Sequence, residues 1–148
     1  MVSRANRDPA VVEPALVAWL TGADDHEPAA RWEADPPPDE LRCDPALVAR
    51  LAEAARPIRG VRRRFVAGSP VIEHPRGRAI AAAAATEWLV VRSDLPAGAL
   101  QVDAPTVTTL GPEWLELNPW SENVAFARAL DLLRAHLARA YDLAETTP

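Results

Sequence analysis

The sequence predicts an α+β fold, in which an antiparallel meander of four or five strands is packed by N-terminal helices and one long C-terminal helix. The first observation is apolar residues at helical spacing in residues 44–55 and 122–144. The second is a series of short apolar segments between residues 61 and 117, separated by turn residues. A chain of 148 residues has about the length of one domain. We therefore interpret residues 44–148 as a single domain, on which an N-terminal helix and a proline-rich linker in residues 1–43 dock.

Three helices are predicted. The first covers residues 10–21 and ends at Gly22, because glycine is common just after a helix C-terminus. The second begins after Asp44, a good N-cap residue, with Pro45 at the first helical position. The third covers about residues 122–144. The apolar stripes of the second and third helices are Leu47, Val48, Leu51, Ala54 and Ala55, and Phe126, Leu130, Leu133, Leu137, Ala140 and Ala144.

A hairpin signal sets the register of the first two strands. Gly68 and Ser69 are typical of a two-residue turn with glycine first. Closing that turn is predicted to pair Ala67 with Pro70, Val66 with Val71, Phe65 with Ile72, and Arg64 with Glu73. Each of these pairs matches chemically, which supports the register.

The remaining strands are predicted at residues 78–84, 88–92 and 113–117, with a short one at 100–102. The five alanines of residues 81–85 leave a helix as the alternative, because alanine has the highest helix propensity. We favour a strand there, since the flanking segments are strands and a helix would have no cap.

This register divides the sheet into two faces. The core face is predicted to contain Phe65, Ile72, Ile80, Ala82, Leu89 and Val91. The second face is predicted to contain Arg62, Arg64, Val66, Val71, Glu73, Ala79, Ala81, Ala83, Trp88, Val90 and Arg92. Small residues beside an aromatic side chain and a charged fork are typical of a ligand pocket. The ligand-binding residues predicted here are Arg62, Arg64, Glu73, Ala81, Trp88 and Arg92.

The second face also has a purely structural interpretation. Arg64 and Glu73 are then a cross-strand ion pair, and the face is either solvated or the interface of a homodimer. A shift of one residue in the register would exchange the two faces. These alternatives stay open at the level of sequence.

No set of residues in the sequence predicts catalysis, a metal site or a cofactor. His74 is expected to be a polar strand end, His136 is expected to be exposed on the last helix, and His26 lies in the linker. These three histidines do not have the spacing of metal ligands. Cys43 precedes a helix, where a thiol can have a lowered pKa, but it has no histidine partner in the sequence pattern. Glu73 is expected to have a lowered pKa beside two arginines, which disfavours a role as a general acid.

Composition limits the remaining classes of partner. The net charge is −5, which disfavours non-specific nucleic-acid binding, and all sixteen basic residues are arginines. We interpret the basic cluster of Arg59, Arg62, Arg63 and Arg64 as solvated charge, because strand alternation separates Arg63 from its neighbours. No signal peptide and no membrane helix are predicted, so the expected location is the cytoplasm. The arginine, alanine and proline usage is typical of a GC-rich genome, such as an actinobacterial one.

The chain resembles two groups of small α+β domains. The segments GRAIA (77–81), EWLVVR (87–92) and EWLEL (113–117), followed by a helix that ends near Tyr141, are similar to the YjbR/MmcQ-like domains and to short luciferase-like domains of bacteria. The resemblance covers about residues 44–144. It implies a fold, and it transfers no catalytic residues.

Three functional hypotheses follow. The first is a non-catalytic binding or accessory module that engages a small molecule or a protein through the second sheet face. The second is a small enzyme of secondary metabolism with an Arg/Glu-lined pocket. The third is a nucleic-acid-binding protein that uses residues 59–64. The absence of a catalytic constellation in the sequence favours the first hypothesis.

Overall fold

The computed structural model describes residues 14–22, 34–85, 88–94, 106–108, 110–117 and 126–146. The helices are α1 (Pro14–Thr21), α2 (Pro45–Ala55) and α3 (Phe126–Thr146), with a short 3₁₀ helix at Pro38–Glu40. The strands are β1 (Arg62–Val66), β2 (Ser69–Glu73), β3 (Ala79–Ala84), β4 (Trp88–Arg92), β5 (Thr106–Thr108) and β6 (Gly111–Leu117). The predicted strand at 100–102 and the expected linker position of His26 lie outside the described residues.

The strands form one antiparallel sheet in the order β1-β2-β3-β4-β6-β5, and α3 packs on it. The predicted α+β fold is therefore confirmed. The described sheet has six strands; one of them, β5, was not predicted, and it pairs along the outer side of β6. The segment of residues 81–85 belongs mainly to a strand, as predicted, and not to a helix.

The start of α2 follows the capping pattern of its sequence. The Asp44 side chain accepts a hydrogen bond from the backbone N–H of Ala46 at 2.9 Å, and Pro45 occupies the first turn. The carboxylate satisfies one of the backbone donors that every helix N-terminus leaves unpaired. At the end of α1, Gly22 has a φ of 75°, in agreement with a helix that stops at glycine.

The register of the first hairpin differs from the prediction. The turn residues are Ala67 and Gly68, with φ values of 51° and 80°, and Val66 pairs with Ser69. A tight turn with two positive φ values matches the twist of the flanking strands, which explains why the turn lies one residue earlier. Glu73 consequently lies opposite Arg62 instead of Arg64. Because every partner moves by two residues, both strands keep their predicted faces.

An irregularity between β2 and β3 changes the face of the alanines. The register shifts between Ile72 and Glu73, so that Ile72 pairs with Ala81 while Glu73 pairs with Ala79. A bulge of this kind inserts one residue into one strand and reverses the alternation beyond it. The prediction that Ala81 and Ala83 lie on the second face is therefore wrong: they belong to the core under α2 and α3, together with Ile80. Ala82 and Ala84 lie on the second face instead.

Helices cover both faces of the sheet. One core cluster joins α2 and α3 to the sheet through residues such as Leu47, Leu51 and Leu137. The other joins α1 to the second face, where Leu16 and Leu20 pack with the following sheet residues: Val66, Val71, Ala79, Ala82, Ala84, Trp88, Val90 and Trp114. The second face is thus largely buried beneath α1.

Candidate functional site

A cavity of about 470 Å³ lies at the C-terminal end of α1, at one end of the second sheet face. Its walls come from four separate parts of the chain: residues 19–22 at the end of α1 and just after it, residues 77–79 before and at the start of β3, the end of β4, and residues 110–114 around the start of β6. This volume is in the range typical of small-molecule pockets. The four segments are far apart along the chain, so no local sequence motif could have predicted the cavity.

Three of the lining residues are glycines, so no side chain projects from the wall at these positions. A Cβ atom built on Gly22, Gly77 or Gly111 would have no heavy atom within 4 Å. Each glycine therefore borders open space instead of a packed neighbour. The cavity results from chain turns that leave room at the edge of the core.

Two hydrogen bonds and one ring contact hold Arg92 at the wall of the cavity. Its Nε donates to the carbonyl oxygen of Ala79 at 2.9 Å, and Nη1 donates to Oε2 of Glu113 at 3.1 Å. The guanidinium carbon lies 4.6 Å from the centroid of the Trp114 ring, a cation–π distance. Only 16% of the Arg92 side chain is exposed. The guanidinium is therefore fixed in position before any ligand arrives.

The charges of the cavity are predominantly positive. Burial lowers the pKa of Arg92; Glu113 opposes this effect, while the nearby charge of Arg78 lowers the pKa further. An arginine remains protonated in a protein despite such effects. Among the described lining residues, Arg78, Arg92 and Glu113 together have a formal charge of +1, whereas the whole chain has −5.

Two tryptophans contribute aromatic surface. Trp19 is half-buried at the end of α1, while Trp114 is 2% exposed beneath the guanidinium of Arg92. An indole ring offers a large apolar face and a polar N–H, which suits binding sites that are partly wet. The aromatic surface that a ligand can reach is consequently that of Trp19 more than that of Trp114.

The structure does not bring all the predicted site residues together. Arg92 lines the cavity, whereas Trp88 is a core residue beneath α1 with 2% exposure. Ala81 lies on the opposite face of the sheet, for the reason given above. Arg62, Arg64 and Glu73 lie on β1 and β2, outside the cavity lining.

The ligand-binding residues predicted from the sequence did not include Trp19, Arg78, Glu113 or Trp114. The pairing of β4 with β6 could have indicated Trp114, because it lies directly opposite Arg92. Finding that pair requires knowing that β4 and β6 are neighbours, which the sequence between them does not indicate.

Glu73 is a buried carboxyl group that forms a long ion pair with Arg64. Its Oε1 lies 3.7 Å from Nε of Arg64, and its side chain is 1% exposed. Among the described residues, Oε2 has no hydrogen-bond partner. Burial raises the pKa of Glu73, and Arg64 and Arg62 only partly oppose this. The expectation of a lowered pKa is wrong, because desolvation exceeds the attraction of the two arginines.

The histidines are more buried than expected. The prediction that His136 is exposed is wrong: it is 3% exposed beside the apolar stripe of α3, and burial lowers its pKa. His74 is also buried, with Nδ1 accepting from the backbone N–H of Arg76 at 3.0 Å and its ring 4.5 Å from that of Tyr141. In the described part of the chain, no group of three or more His, Cys, Asp or Glu residues is arranged to hold a metal ion.

Cys43 does not have the reactive environment that its position before a helix suggested. It is buried, and desolvation together with the charge of Asp44 raises its pKa to about 12. The thiol is therefore protonated at neutral pH, and the lowered pKa that a position before a helix can produce does not occur here.

The basic cluster of residues 59–64 lies largely on β1, an edge strand of the described sheet. Arg63 pairs with Asp35 at 3.3 Å, an interaction between two well-exposed side chains. Charged side chains on an edge strand disfavour pairing with a strand of another molecule.

No family model matches the chain, and neither a curated protein nor a solved structure is significantly similar to it. The likeness to YjbR/MmcQ-like and luciferase-like domains therefore stays a prediction. None of the described helices has the length and apolar character needed to cross a bilayer.

Proposed function

We propose that this protein is a non-catalytic binding module that holds a small molecule in the cavity at the end of α1. The observation that carries the proposal is Arg92, whose guanidinium is fixed by Ala79, Glu113 and Trp114 at the wall of an open cavity of about 470 Å³. Because this polar group is already fixed on a wall of polar and apolar residues, it can orient a ligand at little cost in side-chain entropy.

The charged residues favour binding over acid–base catalysis. Arginine side chains donate hydrogen bonds and do not act as acceptors, and Glu113 is exposed and paired with Arg92. Glu73 has the raised pKa that a general acid requires, but it is 1% exposed and outside the cavity lining. A molecule in the cavity would therefore meet charged groups that position it.

The test is native mass spectrometry of the purified full chain, with a blocking variant and a matched control. Pro112 is an exposed lining residue, so Pro112→Phe places a large side chain at the cavity without removing a core contact. Pro57→Phe makes the same change at an exposed proline outside the lining. We expect a co-purifying small molecule, or binding of members of a fragment mixture, in the unaltered chain and in Pro57→Phe, with a loss of at least about tenfold in affinity in Pro112→Phe.

Equal binding by the two phenylalanine variants would place the ligand elsewhere and contradict the proposal. The absence of any bound molecule, from the host or from a mixture of anionic, neutral and cationic fragments, would contradict it as well.

A further inference from the structure

We infer that Glu113 is an internal competitor of the ligand: an anionic group of the ligand, a carboxylate or a phosphate, replaces the Glu113 carboxylate on Arg92. This inference rests on the proposed function and adds the chemical group that the cavity recognises. Two neighbouring side chains of the lining support it, one that is buried and fixed and one that is exposed.

Arg92 is a largely buried cation that needs an anionic partner. Only 16% of its side chain is exposed, and burial is the largest cause of the lowering of its pKa. A charge with so little access to water is costly unless it is paired and hydrogen-bonded. The Ala79 carbonyl accepts from Nε at 2.9 Å, and the Trp114 ring centroid lies 4.6 Å from the guanidinium carbon. These two contacts fix the guanidinium in place, but neither supplies a formal negative charge.

Glu113 supplies that charge from an exposed position. Its Oε2 accepts from Nη1 of Arg92 at 3.1 Å, and 72% of its side chain is exposed. A carboxylate with this exposure is hydrated when it leaves its partner, so its release costs little. The main chain stays in place, because the Glu113 carbonyl accepts from the N–H of Ser93 at 2.7 Å. Binding of another anion therefore requires only a side-chain movement of Glu113.

The exchange defines the charged group of the ligand. Glu113 shows that a carboxylate oxygen fits against Nη1 of Arg92, while Nη2 makes no hydrogen bond to a described residue. An anion with two or more oxygens can contact both terminal nitrogens, which is the stronger arrangement for arginine. Carboxylates and phosphates both have this property. A neutral ligand would lack the charge that Arg92 needs once Glu113 has left.

The experiment is an NMR titration of the full chain with acetate, inorganic phosphate and acetamide at constant ionic strength. The Nε–H signal of Arg92 reports on the site, because this group is held by its hydrogen bond to Ala79. The signal of the side-chain carboxyl carbon of Glu113 reports on its release. We expect acetate, phosphate or both to shift the two signals together along one saturable curve, and acetamide to shift neither.

A pair of substitutions measures the competition. Glu113→Gln removes the competing charge, and Glu40→Gln removes an exposed carboxylate outside the lining. If the Arg92 pair is closed about nine-tenths of the time, Glu113→Gln should bind the anion about tenfold more tightly than the unaltered chain. Glu40→Gln should bind it with unchanged affinity. Thermal unfolding checks that each variant is folded, and the titration of the unaltered chain needs no variant.

The outcomes separate this inference from the proposed function. Equal affinity of Glu113→Gln and Glu40→Gln for the anion, or a shift at Arg92 without one at Glu113, overturns the exchange. An equal response to acetamide and to the anions overturns the anionic class, and the absence of a response to all three probes overturns both. In each of these cases, binding of a co-purified molecule that Pro112→Phe abolishes still supports the proposed function.

Discussion

Glu73, His136 and Cys43 are ionisable side chains that the fold places away from water. In each case burial is the largest cause of the change in pKa: upward for the carboxyl and the thiol, downward for the imidazole. The neutral form is favoured in all three, which is the expected effect of a low-dielectric surrounding. Single residues of this chain thus behave according to their depth in the fold, even where neighbours of opposite charge are close.

Stability should therefore depend on the ionisation of Glu73. Because its folded pKa is raised above the unfolded value, its contribution to stability is fully present below the ordinary glutamate pKa and is lost as the pH rises through the folded pKa. Glu73→Gln removes the charge and keeps the shape. We expect the variant to be more stable than the unaltered chain at pH 8, by on the order of 1–2 kcal/mol, and the difference to shrink towards pH 4. Urea unfolding at several pH values measures this.

Glu73→Gln also removes the ion pair with Arg64, and Glu40→Gln is the control for it. Loss of the Arg64 ion pair costs little, because Arg64 is 36% exposed and can be hydrated. Glu40→Gln reports the effect of removing a carboxylate from the surface. A Glu73→Gln variant that is less stable at every pH, with a constant difference, would show that the ion pair outweighs the burial of the carboxylate.

At the scale of elements, two irregularities decide how the strands present their side chains. The turn at Ala67 and Gly68 sets the register of β1 against β2, and the shift between Ile72 and Glu73 sets which alanines of β3 face which helix. Gly68 also supports a tertiary contact, since the N–H of Arg42 donates to its carbonyl at 2.8 Å. The turn is therefore a packing site for the segment that leads into α2.

Substitution of Gly68 should destabilise the fold by more than the strain of its positive φ alone. A Cβ atom there would overlap the backbone oxygen of Glu40 and would lie 2.8 Å from Cγ of Arg42. We expect Gly68→Ala to lower the free energy of unfolding by about 3 kcal/mol, from positive φ and from overpacking. Thermal or urea unfolding provides the measurement.

Gly77→Ala is the matched control for the turn. Gly77 also has a positive φ, 92°, but a Cβ atom would meet nothing within 4 Å. Its expected cost is the backbone strain alone, about 1–2 kcal/mol. Equal costs at the two glycines would contradict the close approach of residues 40–42 to the turn.

At the scale of the molecule, the described residues form a sheet with helices on both faces, so α1 has the position of a core element. Leu16 is 0% exposed and packs with residues of the second sheet face. Face-to-face burial of this kind makes the stability of one layer depend on the other. The cavity shares this dependence, because α1 provides one of its walls.

Truncation of Leu16 should therefore destabilise the entire chain. We expect Leu16→Ala to cost about 2–5 kcal/mol and to shift the urea transitions seen by far-UV circular dichroism and by tryptophan fluorescence together. Pro14→Ala, at an exposed position of the same helix, should leave both transitions near their original midpoints. A shift confined to fluorescence would mean that α1 unfolds separately from the sheet.

The amino-acid sequence by itself determined the kinds of element and most of their ends. Asp44 and Pro45 specify the start of α2 through local hydrogen bonding, and the spacing of Leu133, Leu137 and Ala140 specifies the buried side of α3. These signals are local, because they depend on residues within one or two turns of each other.

Only the tertiary structure decided which face each alanine of β3 occupies, how deeply Glu73 and His136 are buried, and where the cavity lies. The face depends on a register shift against a neighbouring strand, and burial depends on which helix covers that face. The cavity joins Trp19, Arg78, Arg92 and Glu113, which are far apart along the chain. Long-range packing brings them together, and local periodicity contains no information about that packing.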